Sequence, residues 1–213
     1  MITDELGGLP TQGRVEQFRG PIAALRTDEV VFGEQAHPRD YVVHFGAVAV
    51  VALDEFDRVL VIQQYRHPLA ARLWEIPAGL LDQPGEEPWA AAQRELAEEA
   101  GVLAAQWHVL VDYATTPGGS TELLRIYLAR GLTFMAERPR TEEAEEQDMP
   151  VQFVPIDALC AAVFNSQLCN TSVVVGALAT RAARDLQWSV LRAPDIEWPM
   201  RSHLEASDRV FRR

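Results

Sequence analysis

Glu95, Glu98 and Glu99 stand at i, i+3 and i+4, the spacing that puts three side chains on one face of a helix. Like charges so placed cost a few tenths of a kcal/mol per pair, roughly, unless a cation compensates them. Arg94 offers one neighbouring positive charge. Carboxylate oxygens are hard ligands, so an ion seated on this stripe would be Mg²⁺ or Mn²⁺ and not zinc. Taken alone, the stripe reads more simply as a solvated, Glu-rich surface helix. Its surroundings decide its meaning.

The helix carrying the stripe is the clearest element of the chain. Pro88 to Ala100 (PWAAAQRELAEEA) is rich in Ala, Leu and Glu, and Gly101 follows as a terminating glycine. Ahead of it, Tyr41–Leu53 (YVVHFGAVAVVAL) is β-branched and nearly continuous, which predicts one buried strand. Asp54–Arg58 has turn composition, and Val59–Tyr65 reads as the returning strand of a hairpin. Leu73–Pro77 is a short extended piece entering a loop rich in Gly and Pro. The first forty residues predict short strands at Arg14–Phe18 and Ala23–Phe32. Beyond the helix, strands are expected at Trp107–Tyr113, Leu123–Leu128 and Val151–Pro155, with helices from Ile156 to about Phe164 and from Thr171 to about Leu186. Asn170 or Thr171 would cap the last of these. The tail from Val190, with prolines at 194 and 199, reads as weakly structured. Strands, one helix, strands, then helices indicate an α+β domain with a mixed β-sheet between helices.

Composition limits what such a domain can bind. The chain has 213 residues and a net charge of −12, with 48% hydrophobic and 23% charged residues. That is a globular composition with material for a core. The acidic balance argues against a nucleic-acid surface and against docking on anionic lipid. Cys160 and Cys169 have no metal-ligand spacing around them and read as free core thiols of a cytoplasmic protein. The acidic, polar N-terminus is not expected to be a secretion signal, and the apolar runs read as too short or too interrupted to span a bilayer.

Written out, Gly79 to Val102 is GLLDQPGEEPWAAAQRELAEEAGV. It resembles the signature of the Nudix hydrolases, G-x5-E-x7-R-E-U-x-E-E-x-G-U, where U is a bulky aliphatic residue. From Glu86 onward the match is complete; between Gly79 and Glu86 the chain has one residue more. The resemblance implies the α/β/α sandwich of that fold. It implies Glu95, Glu99 and the Ala78 carbonyl as ligands of Mg²⁺ or Mn²⁺, and Glu98 as an additional ligand or catalytic carboxylate. Arg94 and Glu86 are implied as an ion pair holding loop to helix. The chemistry implied is in-line attack of water on a phosphorus of a nucleoside diphosphate linked to a second moiety, with charge stabilisation dominating.

Three further strings resemble the ADP-ribose pyrophosphatases of the family, and the likeness is densest from about Val43 to Leu178. Pro117 stands sixteen residues after Gly101, in the string TPGGSTE; a plain β-turn would account for that string equally. His44–Ala49 and Gln64–His67, followed by Leu73–Gly79, are similar to the bacterial enzymes. The run Glu145-Glu146-Gln147-Asp148-Met149 is similar to the Glu-Glu-Ala-Asp-Met loop of the actinobacterial type, which implies Glu146 as catalytic base with Glu145 as the substitute. Arg72 and Arg66 are candidates for phosphate or ribose contact, and Glu75 and Pro117 complete the implied substrate-binding set. Phe18, Phe32 and Tyr41 are candidates to stack on the adenine. The resemblance implies a homodimer with exchanged N-terminal strands. The corresponding division is 1–40 as strand region, 41–189 as Nudix domain and 190–213 as tail.

The activity expected is metal-dependent hydrolysis of ADP-ribose to AMP and ribose 5-phosphate. The alternatives are a diphosphatase for another nucleotide sugar such as GDP-mannose, and a non-catalytic ADP-ribose sensor. The intact Arg-Glu-Leu-x-Glu-Glu core and the lack of a basic helix-turn-helix pattern disfavour the sensor. Eight of the acids (Glu86, Glu95, Glu98, Glu99, Glu142, Glu143, Glu145, Glu146) fall in the signature and one loop. Part of the negative charge is therefore a candidate cation site, through which an acidic protein can hold a diphosphate.

Overall fold

A computed structural model describes residues 2–139 and 149–212. Among these are ten strands and four helices. The contacts divide the chain into two compact units, one made of residues 1–46, 114–123 and 197–213, the other of 47–113 and 124–196.

The first unit is built on a three-stranded antiparallel sheet of β1 (Thr11–Arg19), β2 (Ala23–Phe32) and β3 (Gln35–His44). β2 is its centre, and there Asp28 is fully buried. A carboxylate in that position needs partners. It accepts from Arg14 Nε at 2.8 Å and from Arg209 Nη2 at 2.8 Å. Burial pushes the Asp28 carboxyl up, but its hydrogen bond with Arg14 and the charges of Arg14 and Arg209 outweigh that and hold it below its ordinary value. The C-terminal residues pack here too. α4 (Pro199–Ala206) is followed by Val210 and Phe211, both buried, and the Phe211 ring meets Phe45 edge-on at 4.8 Å. The expectation of a weakly structured tail is thus corrected. Pro199 begins a helix, where its missing N–H costs nothing.

The strand expected over Tyr41–Leu53 is two strands. β3 ends at His44, Gly46 turns the chain with φ +81°, and β4 (Ala47–Ala52) joins a different sheet. A β-branched run does not show such a break; the glycine makes it possible because positive φ costs it no Cβ clash. The expected hairpin is also limited to a single Leu53–Val59 bridge.

The second unit holds two sheets. One has the order β10 (Val151–Pro155), β5 (Arg58–Arg66), β6 (Ala71–Glu75) and is antiparallel. The other runs β7 (Ala78–Leu80), β4, β9 (Leu123–Phe134), β8 (Val102–Ala114), with β4 antiparallel to β7 and parallel to β9. The sheet is mixed and the class α+β, as expected. Every residue of β4 is buried, which is why it reads as a continuous apolar run. Its core includes Val51, Ile76, Ile126 and Leu128, with Leu159 from α2 (Ile156–Phe164) and Val173 from α3 (Thr171–Asp185). Gly176 of α3 lies so close to Ile76 and Val51 that a Cβ there would press on both at 3.0 Å. Asn170 caps α3 by accepting from the amides of Ser172 and Val173. Cys160 is buried in this core; Cys169 is exposed, so only one thiol is a core residue, and both are free.

Candidate active site

α1 (Pro88–Ala100) carries the acidic stripe, with the boundaries read from the sequence. Pro88 occupies the first helical turn, and Gly101 closes the helix at φ +64°, its N–H returning to the Ala97 and Leu96 carbonyls. The helix is not a solvated one. Glu95 and Glu99 are buried, at 7% and 2% exposure, beside Ala91, Ala92 and Leu96. Two acids on the buried face are a costly arrangement unless the fold or a ligand answers their charge.

The fold answers part of it. Glu99 Oε2 accepts from the Ala78 N–H at 2.7 Å, across 21 residues of sequence. Arg94 spreads one guanidinium over three carboxylates. Its Nε and Nη2 grip Glu86 at 2.9 and 3.0 Å, and its Nη1 reaches Glu95 at 2.7 Å and Glu98 at 3.0 Å. This paired, forked geometry is why arginine stands there. The Glu86 hydrogen bond, the largest contribution, and the neighbouring Glu95 and Glu98 raise Arg94 well above the ordinary guanidinium range against the opposing effect of burial, so it stays charged. The extra residue between Gly79 and Glu86 leaves this pair intact.

Gly79 has a second role that the spacing does not show. A Cβ on it would overlap the Glu95 carboxylate and its Cγ. The glycine of β7 is the floor on which Glu95 lies.

Three carboxylates thus gather around one guanidinium, while Glu99 is held by the Ala78 N–H. Among the described residues no three acidic, histidine or cysteine side chains close into a metal cage. Mg²⁺ does not require one, because it commonly takes one or two carboxylates and completes its octahedron with water and substrate phosphate. The buried Glu95 and Glu99, with hard oxygens one helical turn apart, suit such an ion.

The remaining sequence candidates divide. Glu75 is buried at 1% exposure and is held by Arg66 through Nε and Nη2 at 2.8 and 2.6 Å. These two therefore form one buried-to-surface ion pair on β5 and β6. Arg72, exposed on β6, places its guanidinium 5.9 Å from the Tyr65 ring centre. Pro117 sits exposed in the turn from Thr116 to Gly119, which belongs to the first unit. Phe18 and Phe32 are exposed, while Tyr41 carries the Arg209 guanidinium 5.1 Å from its ring. Glu145 and Glu146 lie outside the described residues. Sequence reasoning missed Arg138, whose Nε donates to the Glu98 carbonyl at 2.5 Å; a basic side chain forty residues away leaves no local trace.

Residues 43–168 match the NUDIX domain family. The chain belongs to the Nudix family. A Mycobacterium tuberculosis protein described as ADP-ribose pyrophosphatase is 42% identical over 91% of this chain and 92% of its own length. A Bacillus subtilis protein of the same description is 35% identical over 63% and 73%. A methanol dehydrogenase activator from Bacillus methanolicus is 38% identical over 62% and 71%. A solved structure described as an ADP compounds hydrolase superimposes with a TM-score of 0.71, covering 88% of this Nudix chain and all of its own; at 20% identity the likeness is one of fold. Among the described residues no helix is long and apolar enough to cross a membrane.

Proposed function

We propose that this Nudix protein hydrolyses the diphosphate of ADP-ribose, releasing AMP and ribose 5-phosphate. The reading is carried by the buried Glu95 and Glu99 of an intact signature helix, in a chain 42% identical to an ADP-ribose pyrophosphatase over nearly its whole length. Glu95 and Glu99 are the residues that would hold Mg²⁺ or Mn²⁺, with Glu98 beside them and the Ala78 carbonyl as a backbone ligand. A bound ion of this kind neutralises the diphosphate and lowers the pKa of water. Arg94 holds the carboxylates of α1 in register, and the Ala78 N–H orients Glu99. Glu146 accepts the proton of the attacking water, and Glu145 is the substitute. The oxygen of that water joins one phosphorus as the P–O–P bridge breaks, so each product leaves as a phosphate monoester. Arg72 is the exposed cation for phosphate or terminal-ribose contact. Arg66 reaches the ligand with Glu75 as its anchor. The protein works in the cytoplasm as a homodimer, a reading supported by the family likeness and, for the dimer, by the exposure of β1 along its whole length.

A substrate panel tests this. ADP-ribose, GDP-mannose and diadenosine polyphosphates are compared with Mg²⁺ and with Mn²⁺, and products are weighed after reaction in ¹⁸O water. Preferred turnover of ADP-ribose, with label in AMP or in ribose 5-phosphate, supports the reading. No turnover of any ADP-sugar with either ion overturns it.

A further inference from the structure

The last turn of α1 carries Glu98 and Glu99, and it is held from outside the helix. Carbonyls at a helix C-terminus have no partner within it. Gly101 supplies N–H to Ala97 and Leu96. The Glu98 carbonyl instead receives Arg138 Nε at 2.5 Å. The stem of Arg138 lies over Gly101, within 3.5 Å of where a Cβ would stand. The same stretch is tied again three residues earlier, where the Met135 N–H donates to the Gly101 carbonyl at 2.8 Å. A guanidinium at the negative end of α1 also suits the helix dipole. The contact is made to the backbone of Glu98, the residue immediately before Glu99, so loosening it frees the turn that orients Glu99 toward Ala78.

We infer that Arg138 is a positioning residue for the cation site, acting through the Glu98 carbonyl to hold the final turn of α1. The inference rests on the reading of Glu95 and Glu99 as the residues that hold the divalent ion. Arg138 touches neither acid's carboxylate through this bond; it sets the backbone from which they project.

The test uses the full chain and Mn²⁺ alone, with no substrate. Arg138→Met keeps the stem over Gly101 and removes the donor; Arg138→Lys keeps a donor able to reach a carbonyl. Mn²⁺ affinity is read by electron paramagnetic resonance, and amide exchange at Gly101 and Val102 is read in the metal-free protein. The loss of one charge-assisted hydrogen bond predicts Mn²⁺ binding weakened about tenfold in Arg138→Met, with faster exchange at both amides and recovery of most of the affinity in Arg138→Lys. In turnover, kcat falls and KM for ADP-ribose holds. If the wild type binds no Mn²⁺, the metal reading itself fails. If the wild type binds and Arg138→Met binds equally well, the positioning role fails while the metal reading stands. A lowered melting temperature with unchanged Mn²⁺ affinity, or an Arg138→Lys variant as weak as Arg138→Met, also overturns it.

Discussion

Replacing Gly79 by alanine adds one methyl group against the Glu95 carboxylate. Gly79 does not have the positive φ that penalises side chains, so the backbone accepts alanine and the whole effect falls on the contact. The new Cβ overlaps not only the Glu95 oxygen but its Cδ and Cγ. A terminal rotation cannot clear it, and Glu95 must leave its rotamer. Doing so breaks the 2.7 Å bond to Arg94 Nη1, while Arg94 keeps its two bonds to Glu86 and one to Glu98. Overpacking of this kind costs about 1–3 kcal/mol. At about 2–4 °C per kcal/mol for a chain of this size, the melting temperature drops by several degrees and the fold survives. The effect on chemistry is larger, since a preorganised charge is removed from where it acts; a loss of roughly 10²–10³ in kcat is the scale for one such group. Thermal melts, Mn²⁺ binding and ADP-ribose turnover on Gly79→Ala measure the two effects separately. A variant with wild-type kcat and wild-type Mn²⁺ affinity would refute the assignment of Glu95 and of Gly79 as its floor.

Three other outcomes are expected. Glu99→Gln retains an oxygen to accept from the Ala78 N–H, so circular dichroism stays native while turnover falls by orders of magnitude and Mn²⁺ binding weakens; wild-type activity would remove Glu99 from the ligand set. Glu146→Gln lowers the rate and leaves Mn²⁺ affinity largely intact, and an equal fall in both would make Glu146 a ligand and not a base. Asp28 is held below its ordinary value of about 4, so its contribution to stability is present above that pH and is lost as pH falls through the lower folded value. Asp28→Asn is therefore destabilised at neutral pH, and its deficit against wild type shrinks as the solution is acidified from pH 4 toward 2. Denaturant melts across that range check it, and a constant deficit would contradict the ion-pair account.

Where sequence and structure agree, the signal is local. α1 was legible from Pro88 to Gly101 because propensity, a proline start and a glycine stop act within one or two turns. β10, α2 and the Asn170 cap were legible for the same reason. Where they differ, a single residue or a distant partner decides. Gly46 divides an apolar run into strands of two sheets. Pro199 starts a helix in a tail read as weakly structured, whose Phe211 packs against Phe45 and under the Arg19 guanidinium.

The sequence by itself determined the candidate site's donor types and their register: three glutamates on one helical face, an arginine beside them, a glutamate and a glycine upstream. That information is contained in a period of 3.6 residues and needs no partner. Tertiary structure decided which acids are buried, that Gly79 makes room for Glu95, that the Ala78 N–H is aimed at Glu99, that Arg66 pairs with Glu75, and that Arg138 donates to the Glu98 carbonyl. These pairings join residues 9 to 40 positions apart, the contact between Gly79 of β7 and Glu95 of α1 among them. Such pairings come from the core bringing strands and helix together, and no local periodicity encodes them.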